Sequence, residues 1–115
     1  MPDTKPNFEL PSVSAAEALA KQSQGAVILD LRKPLARSSD GRTVLGAEIR
    51  DPFALHHDDP LMSLDQPIVA FCVHGHEVSQ FGCAMLMLNG RDAVYVRGGF
   101  EALVAADATL TELPR

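Results

Sequence analysis

The chain of 115 residues has no tryptophan, one tyrosine and only two cysteines, and its acidic side chains outnumber its basic ones by 15 to 10. Two cysteines cannot form the disulfide framework of a small secreted domain. A net charge of −5 also lacks the basic footprint that general nucleic-acid binding requires. We therefore expect neither a disulfide scaffold nor a nucleic-acid partner.

Long apolar runs are also absent. No uninterrupted run reaches the roughly 18 residues of a membrane span, and no basic amphipathic helix suggests a membrane surface. The first residues, Met-Pro-Asp-Thr-Lys-Pro, lack the apolar core of a secretory signal. We therefore expect a cytoplasmic protein without a membrane partner, in which Cys72 and Cys83 are reduced.

Short apolar segments alternate with helical patterns along the chain. We expect strands in three continuous branched runs and one shorter segment: 26–31, 68–71, 93–96 and 47–49. We expect helices in three segments, the first opened by a capping box of Ser14 and Glu17: 14–24, 76–89 and 100–106. This alternation predicts an α/β fold of three layers, in which helices cover both faces of a mostly parallel central sheet of about five strands.

A chain of this length is expected to form one domain. We assign residues 12–106 to that domain, 1–11 to a tail or edge strand, and 107–115 to a C-terminal tail. Within the domain, segment 33–43 is predicted to be a polar loop, and segment 52–63 a short helix followed by a loop.

The most informative stretch is 67–79, Pro-Ile-Val-Ala-Phe-Cys-Val-His-Gly-His-Glu-Val-Ser. A buried strand is predicted to end at Cys72, at the sheet edge where parallel sheets carry their active sites. A helix begins shortly afterwards, and its unpaired N–H groups and dipole favour a thiolate. Cys72 is therefore the candidate catalytic nucleophile. The candidate substrate-binding loop is Val73, His74, Gly75, His76, Glu77 and Val78.

Four groups of residues, in this order, resemble the single-domain rhodanese-like (sulfurtransferase) family. They are Asp30-Leu-Arg32, Gly46-Ala47, Cys72-Val-His-Gly75, and a closing stretch of Asn89-Gly90, Val94 and Gly98-Gly99. The similarity runs from about residue 12 to residue 103. Three features depart from the family. Glu77 stands where sulfur-transferring members usually have arginine, Thr43-Val44-Leu45 replaces His-Ile-Pro, and the usual tryptophan after Gly-Gly is missing.

The resemblance implies a sulfurtransferase. The Cys72 thiolate would take the outer sulfur of a small anionic donor such as thiosulfate, become a persulfide, and pass the sulfur to a thiol, a cyanide-like acceptor or an acceptor protein. Amides of residues 73–77 would cradle the anionic sulfur, and Gly75 would allow the loop to curl. Asp30 and Arg32 are expected to support the site. No cofactor is implied.

The charge at position 77 bears on this chemistry. A carboxylate near Cys72 disfavours the thiolate and repels an anionic donor, although Glu77 also suits the first turn of a helix. Protonated His74 or His76 would offset the effect. Arg32 is a candidate for the missing positive charge, and Arg37 and Arg42 are weaker candidates.

Two other functions stay open from the residues alone. One is a non-catalytic rhodanese module that binds a partner or a small molecule. The other is a thiol redox enzyme or oxyanion reductase with Cys83 as resolving thiol, although a cysteine in an apolar helix is more typical of a small buried hydrophobe. Cys72, His74, His76 and Glu77 resemble a ligand set, but ligands crowded into six residues rarely close a tetrahedron, so no metal is expected.

Overall fold

The continuous apolar runs become the central strands of a parallel sheet in the computed structural model, which describes residues 10–113. The sheet has five strands: β1 (Ser12–Val13), β2 (Val27–Asp30), β4 (Glu48–Ile49), β5 (Ile68–Phe71) and β6 (Ala93–Val96). Their order is β1-β6-β5-β2-β4, and every pair is parallel. A second, two-stranded antiparallel sheet joins β3 (Arg42–Val44) to β7 (Leu110–Glu112).

Four helices accompany the sheet: α1 (Ala15–Ser23), α2 (Pro34–Asp40), α3 (Glu77–Leu88) and α4 (Gly99–Ala105). The predicted capping box opens α1, since Ser14 Oγ accepts from the Glu17 amide and the Glu17 carboxylate accepts from the Ser14 amide, both at 3.1 Å. None of the helices within residues 10–113 combines the length and the hydrophobicity that a membrane-spanning segment needs.

Side chains alternate between the two faces of the sheet, as the period of a strand requires. Val69 and Phe71 of β5 enter a cluster with α1 and α4, whereas Ile68 and Ala70 enter a second cluster with α3. Helices therefore cover both faces, and the predicted three-layer α/β fold with its mostly parallel sheet is confirmed.

Three segments differ from the sequence-based expectation. The predicted polar loop at 33–43 contains α2 and the start of β3, because Pro34 opens a helical turn and Gly41, at φ 80°, ends it. The predicted tail at 107–115 contains β7. Segment 52–63 forms two short 3-10 helices, Pro52–Ala54 and Pro60–Ser63. Most of the predicted tail or edge strand at 1–11 lies outside the described residues.

Candidate active site

Cys72 follows β5, the central strand, at the carboxyl edge of the sheet. It continues the row of Ile68 and Ala70, which face α3, because side chains on one face of a strand recur every second residue. Only 5% of Cys72 is exposed. The fold therefore holds this sulfur at the bottom of a depression beside the first turn of α3.

The nearest polar partner of the sulfur is Ser79, in the first turn of α3. Cys72 Sγ lies 3.1 Å from Ser79 Oγ and donates to it, and Ser79 Oγ in turn lies 3.4 Å from the His76 carbonyl oxygen. Ser79 is completely buried. Ser79 was not predicted from the sequence. The signal that could have indicated it is its position, two residues after Glu77, on the face of the helix that packs toward β5.

The loop between Cys72 and α3 is held against the turn that follows β6. The Phe100 amide donates to the Cys72 carbonyl at 2.7 Å, and the Gln80 side-chain amide donates to the Gly75 carbonyl at 3.2 Å. Gly75 has φ 76°, and a Cβ there would lie 2.5 Å from the Val96 carbonyl oxygen. Only glycine fits this position, so the curl of the loop follows from the sequence.

The loop leaves amide hydrogens without backbone partners. Within residues 10–113, the amides of 73–76 donate to no other backbone group. The first-turn amides of α3 add to these, because the first N–H groups of any helix have no intrahelical acceptor. These amides are therefore available to donate hydrogen bonds to a further acceptor.

A cavity of about 420 Å³ opens over the sulfur. Most of the predicted loop lines it, together with three residues that follow β2: Cys72, Val73, His74, His76, Glu77, Val78, Arg32, Lys33 and Ala36. Gly75 lies behind this wall and is buried. Lys33 and Ala36 were not predicted, because they come from the segment that was predicted to be a polar loop.

Asp30 and Arg32 form a buried ion pair at one side of the cavity. The Asp30 carboxylate accepts from the Arg32 guanidinium at 2.8 Å and from Thr43 Oγ1 at 2.8 Å. The guanidinium also donates to the Arg42 carbonyl and stacks over Phe100, 4.1 Å from the ring centroid. Because Arg32 is 1% exposed and its charge is neutralised by Asp30, it is not the unpaired cation that the sequence suggested.

Lys33 and Glu77 are the exposed charges at the mouth of the cavity. Within residues 10–113, Lys33 makes no ion pair. His74 Nδ1 lies 2.9 Å from Glu101 Oε2, with both side chains largely exposed. In the described part of the chain, Lys33 is therefore the one lysine or arginine at the cavity without an ion-pair partner, where the sequence suggested an arginine.

The other candidate cations lie elsewhere. Arg37 donates to the Arg32 carbonyl at 2.9 Å, and Arg42 pairs with Asp40 at 3.1 Å. Both line a separate concavity of about 900 Å³ between α2 and β7. The expectation that either supplies positive charge beside Cys72 is therefore wrong.

Cys83 lies in the apolar layer between α3 and the sheet. It is completely buried, and burial raises the pKa of its thiol to about 11. Both cysteines are free. A thiol that resists ionisation is a poor partner for thiol–disulfide exchange, which favours the interpretation of Cys83 as part of the core.

Within residues 10–113, no group of three or more histidine, cysteine, aspartate or glutamate side chains is placed to hold a metal ion. His74 and His76 have their ring centroids 6.3 Å apart. His56 and His57 are exposed and do not line the cavity over Cys72. What the arrangement brings together is a thiol, a hydroxyl, unpaired amides and one lysine.

Comparison with known proteins gives relatives for most of the chain. The thiosulfate sulfurtransferase GlpE of Pseudomonas entomophila is 35% identical over 94 residues, which cover 81% of this chain and 84% of that protein. The protein of the same name from Stutzerimonas stutzeri is 36% identical over 86 residues, 74% of this chain and 76% of that one. No family model matches the chain.

Solved structures agree on the architecture. A rhodanese-related protein from Thermoplasma volcanium superposes with a TM-score of 0.73 at 20% identity, covering 88% of this chain and 97% of that one. The rhodanese-like domain of an Anabaena protein gives 0.72 at 20% identity, with coverages of 92% and 81%. At such identities the likeness is one of fold.

Proposed function

The chain belongs to the single-domain rhodanese-like family, and from that premise we propose that it is a sulfurtransferase that carries sulfur as a persulfide on Cys72. The observation that carries the proposal is the position of this thiol, at the end of the central strand and under a cavity lined by a loop whose amides, within residues 10–113, have no backbone acceptor. The named activity of the GlpE relatives supports it.

The first step moves a sulfur atom from a thiosulfate-like donor to the protein. The Cys72 thiolate attacks the outer sulfur, a sulfur–sulfur bond forms to Sγ, and the donor's own sulfur–sulfur bond breaks. Its electron pair leaves with sulfite, so the total charge of −3 is unchanged. The proton of the resting thiol has by then passed to solvent through the open cavity.

The second step returns the enzyme to its starting state. A thiophilic acceptor, such as cyanide or a thiolate, attacks the terminal sulfur of the persulfide, and the Cys72 thiolate leaves. With cyanide the product is thiocyanate. The terminal sulfur carries the negative charge of the persulfide, and in this proposal the amides of the loop donate hydrogen bonds to it, as they do to an anionic donor. An acceptor protein would reach the sulfur through the same opening.

Recognition of the donor falls to two exposed charges. The Lys33 ammonium attracts an anion entering the cavity, and the Glu77 carboxylate repels it. The buried Arg32 contributes little net charge, because Asp30 accompanies it. We propose that Lys33 takes over part of the role that arginine has in other sulfur-transferring members, at the cost of weaker donor binding than an arginine in the loop gives.

The test is transfer from thiosulfate to cyanide, followed as thiocyanate. Cys72→Ala is expected to abolish transfer, whereas Cys83→Ala, which removes the other thiol, is expected to retain it. Intact mass after exposure to thiosulfate should show one added sulfur atom that is absent from Cys72→Ala. If Cys72→Ala transfers sulfur as fast as the unaltered protein, the proposal is wrong.

The remaining alternatives give different outcomes in the same experiment. If the protein takes up no sulfur from any donor and its Cys72 does not react with thiol reagents, it is a binding module. The observation that favours this alternative is Glu77, which stands where sulfur-transferring members of the family usually have arginine. Joint loss of both free thiols on mild oxidation would indicate a redox pair, and the raised pKa of Cys83 counts against that outcome.

A further inference from the structure

The Ser79 hydroxyl is the one polar side chain in hydrogen-bond contact with the reactive sulfur in residues 10–113. It is completely buried, 3.1 Å from Cys72 Sγ and 3.4 Å from the His76 carbonyl oxygen. In the resting protein the thiol donates to this oxygen and the hydroxyl donates to His76. The His76 carbonyl oxygen also accepts from the Gln80 amide at 3.1 Å, so it keeps a partner when the Ser79 hydroxyl turns away.

We infer that Ser79 is a catalytic residue whose hydroxyl turns to donate to Cys72 once the thiol has ionised. A hydroxyl can accept from a thiol or donate to a thiolate by rotation alone, with no movement of a heavy atom. The thiol proton leaves to hydroxide or a buffer base that enters through the cavity. The hydroxyl proton stays on Ser79 throughout.

Several ionisable side chains surround the contact between Ser79 and Cys72 and also affect the ionisation of the thiol. Five ionisable groups line the cavity over Cys72, and they come from the loop after β2, the loop before α3 and the first turn of α3: Arg32, Lys33, His74, His76 and Glu77. Glu101 of α4 lies behind them as the partner of His74. Arg32 is paired with Asp30, and His74 is paired with Glu101. The effects of the exposed charges weaken as salt is added, whereas a buried hydrogen bond at contact distance does not depend on salt.

The expected effect of losing the hydroxyl has a characteristic dependence on pH. Below the pH range in which the thiol ionises, a hydrogen bond donated to the thiolate increases the thiolate fraction by roughly one to two factors of ten. A less stabilised thiolate is also a better nucleophile, which offsets about half of that change. Alkylation of Cys72 should therefore be about three- to tenfold slower in Ser79→Ala near neutral pH, and equally fast or faster at high pH.

The experiment measures alkylation of Cys72 by iodoacetamide across pH 6 to 10. The reference protein carries Cys83→Ala, so that only one thiol reports. The neutral reagent is neither attracted nor repelled by Lys33 and Glu77, which are the same in every variant. Rates for Ser79→Ala are expected to fall below the reference near pH 7 and to meet or cross it at high pH. Ser79→Thr, which keeps the hydroxyl, is expected to restore most of the neutral rate.

A purely structural role is tested with Gln80→Ala. This neighbour bonds the Gly75 carbonyl but not the sulfur, so its loss loosens the loop and changes the rate by one factor at every pH. If Ser79→Ala behaves in the same way, or matches the reference near pH 7, the inference is wrong. Melting temperatures accompany each variant. If the alanine protein does not fold, Ser79→Gly, which also lacks the hydroxyl, replaces it. A rate changed by one factor at every pH, or a rate equal to the reference near pH 7, would then contradict the inference in the same way.

The place of Ser79 in sulfur transfer depends on the function proposed above, but its effect on alkylation does not. Alkylation needs no sulfur donor, so failure of thiosulfate-to-cyanide transfer in the unaltered protein would defeat the proposed function and leave the Ser79 result intact. In a protein that does transfer sulfur, the loss in kcat/KM for Ser79→Ala should follow the alkylation loss at the same pH, about three- to tenfold near neutrality.

Discussion

At the scale of single residues, the chemistry around Cys72 depends on few side chains. The sulfur contacts one hydroxyl, and the mouth of the cavity carries one ammonium and one carboxylate, from Lys33 and Glu77. These two exposed charges act on an incoming anion with opposite signs. Each should therefore change donor binding without changing the bonds that hold the site together.

The first prediction concerns these two charges. Lys33→Gln should raise KM for thiosulfate about three- to tenfold, and Glu77→Gln should lower it by a similar factor, since a unit charge near a bound anion is worth about 0.7 to 1.4 kcal/mol in a partly exposed site. Steady-state kinetics at low salt measure both, and added salt should shrink both effects.

The matched control is Asp65→Asn, which removes an exposed carboxylate just before β5, at the opposite edge of the sheet. It changes the net charge as Glu77→Gln does but is expected to leave KM unchanged. If Asp65→Asn lowers KM as much as Glu77→Gln, the whole-protein charge and not the local one governs donor binding.

At the scale of elements, the sequence indicated the parts that bury apolar surface and missed those that do not. Strands β2, β5 and β6 are continuous apolar runs, so their burial follows from composition. Helix α2 buries none of its residues, so no apolar period marks it, and only Pro34 and Gly41 signalled its ends. The short pair β3 and β7 joins segments far apart in sequence, which no local pattern can predict.

The same distinction holds for the site. Residues 72–78 are contiguous, and the sequence predicted them as a nucleophile at a strand end followed by a substrate-binding loop over 73–78. Lys33 reaches the cavity only because α2 follows β2 at the same edge of the sheet, and Ser79 reaches the sulfur only because α3 begins where it does. Both contacts arise from the tertiary arrangement of separate elements.

The second prediction tests how the loop before α3 packs against the turn after β6. Gly75→Ala should cost about 3 kcal/mol of unfolding free energy and most of the Cys72 reactivity, because a Cβ would collide with the Val96 carbonyl oxygen. Gly90→Ala is the control. Gly90 has φ 78° against 76° at Gly75, with no atom near the added Cβ, so only the backbone cost of about 1 kcal/mol is expected.

Urea unfolding and alkylation rates check this prediction. Equal losses of stability in the two alanine variants would mean that the backbone angle alone explains the glycine. The packing of loop against turn would then have no part in holding Cys72.

At the scale of the whole molecule, acidic side chains determine how stability depends on pH. Partial burial opposes ionisation of Asp59, but hydrogen bonds from the Arg50 guanidinium and the Leu61 amide outweigh it, and the pKa of Asp59 lies below its ordinary value. Hydrogen bonds from Ser14 lower the pKa of Glu17. Groups of this kind stabilise the folded state above the pKa they have in the unfolded chain.

The third prediction follows from these signs. Stability should be constant near neutral pH and fall as the pH drops from about 4 through the lowered folded-state values, as the carboxylates take up protons. Asp59→Asn should cost about 1 kcal/mol at neutral pH, and this difference should shrink toward pH 3. Asp58→Asn is the control: it is exposed, makes no ion pair within residues 10–113, and should leave the curve unchanged. Urea midpoints measured across pH decide, and a constant penalty for Asp59→Asn at every pH would contradict the ionic explanation.

The buried ion pair between Asp30 and Arg32 favours the native register of β2 relative to its neighbouring strands. If β2 slipped by one position, every side chain would change sides. The pair would then enter the hydrocarbon layer of Leu61 and Leu86, away from Thr43, the Arg42 carbonyl and Phe100. Charges without such partners are costly in an apolar layer. A sheet with β2 out of register is therefore destabilised at its centre, next to β5, whose carboxyl end positions the Cys72 sulfur.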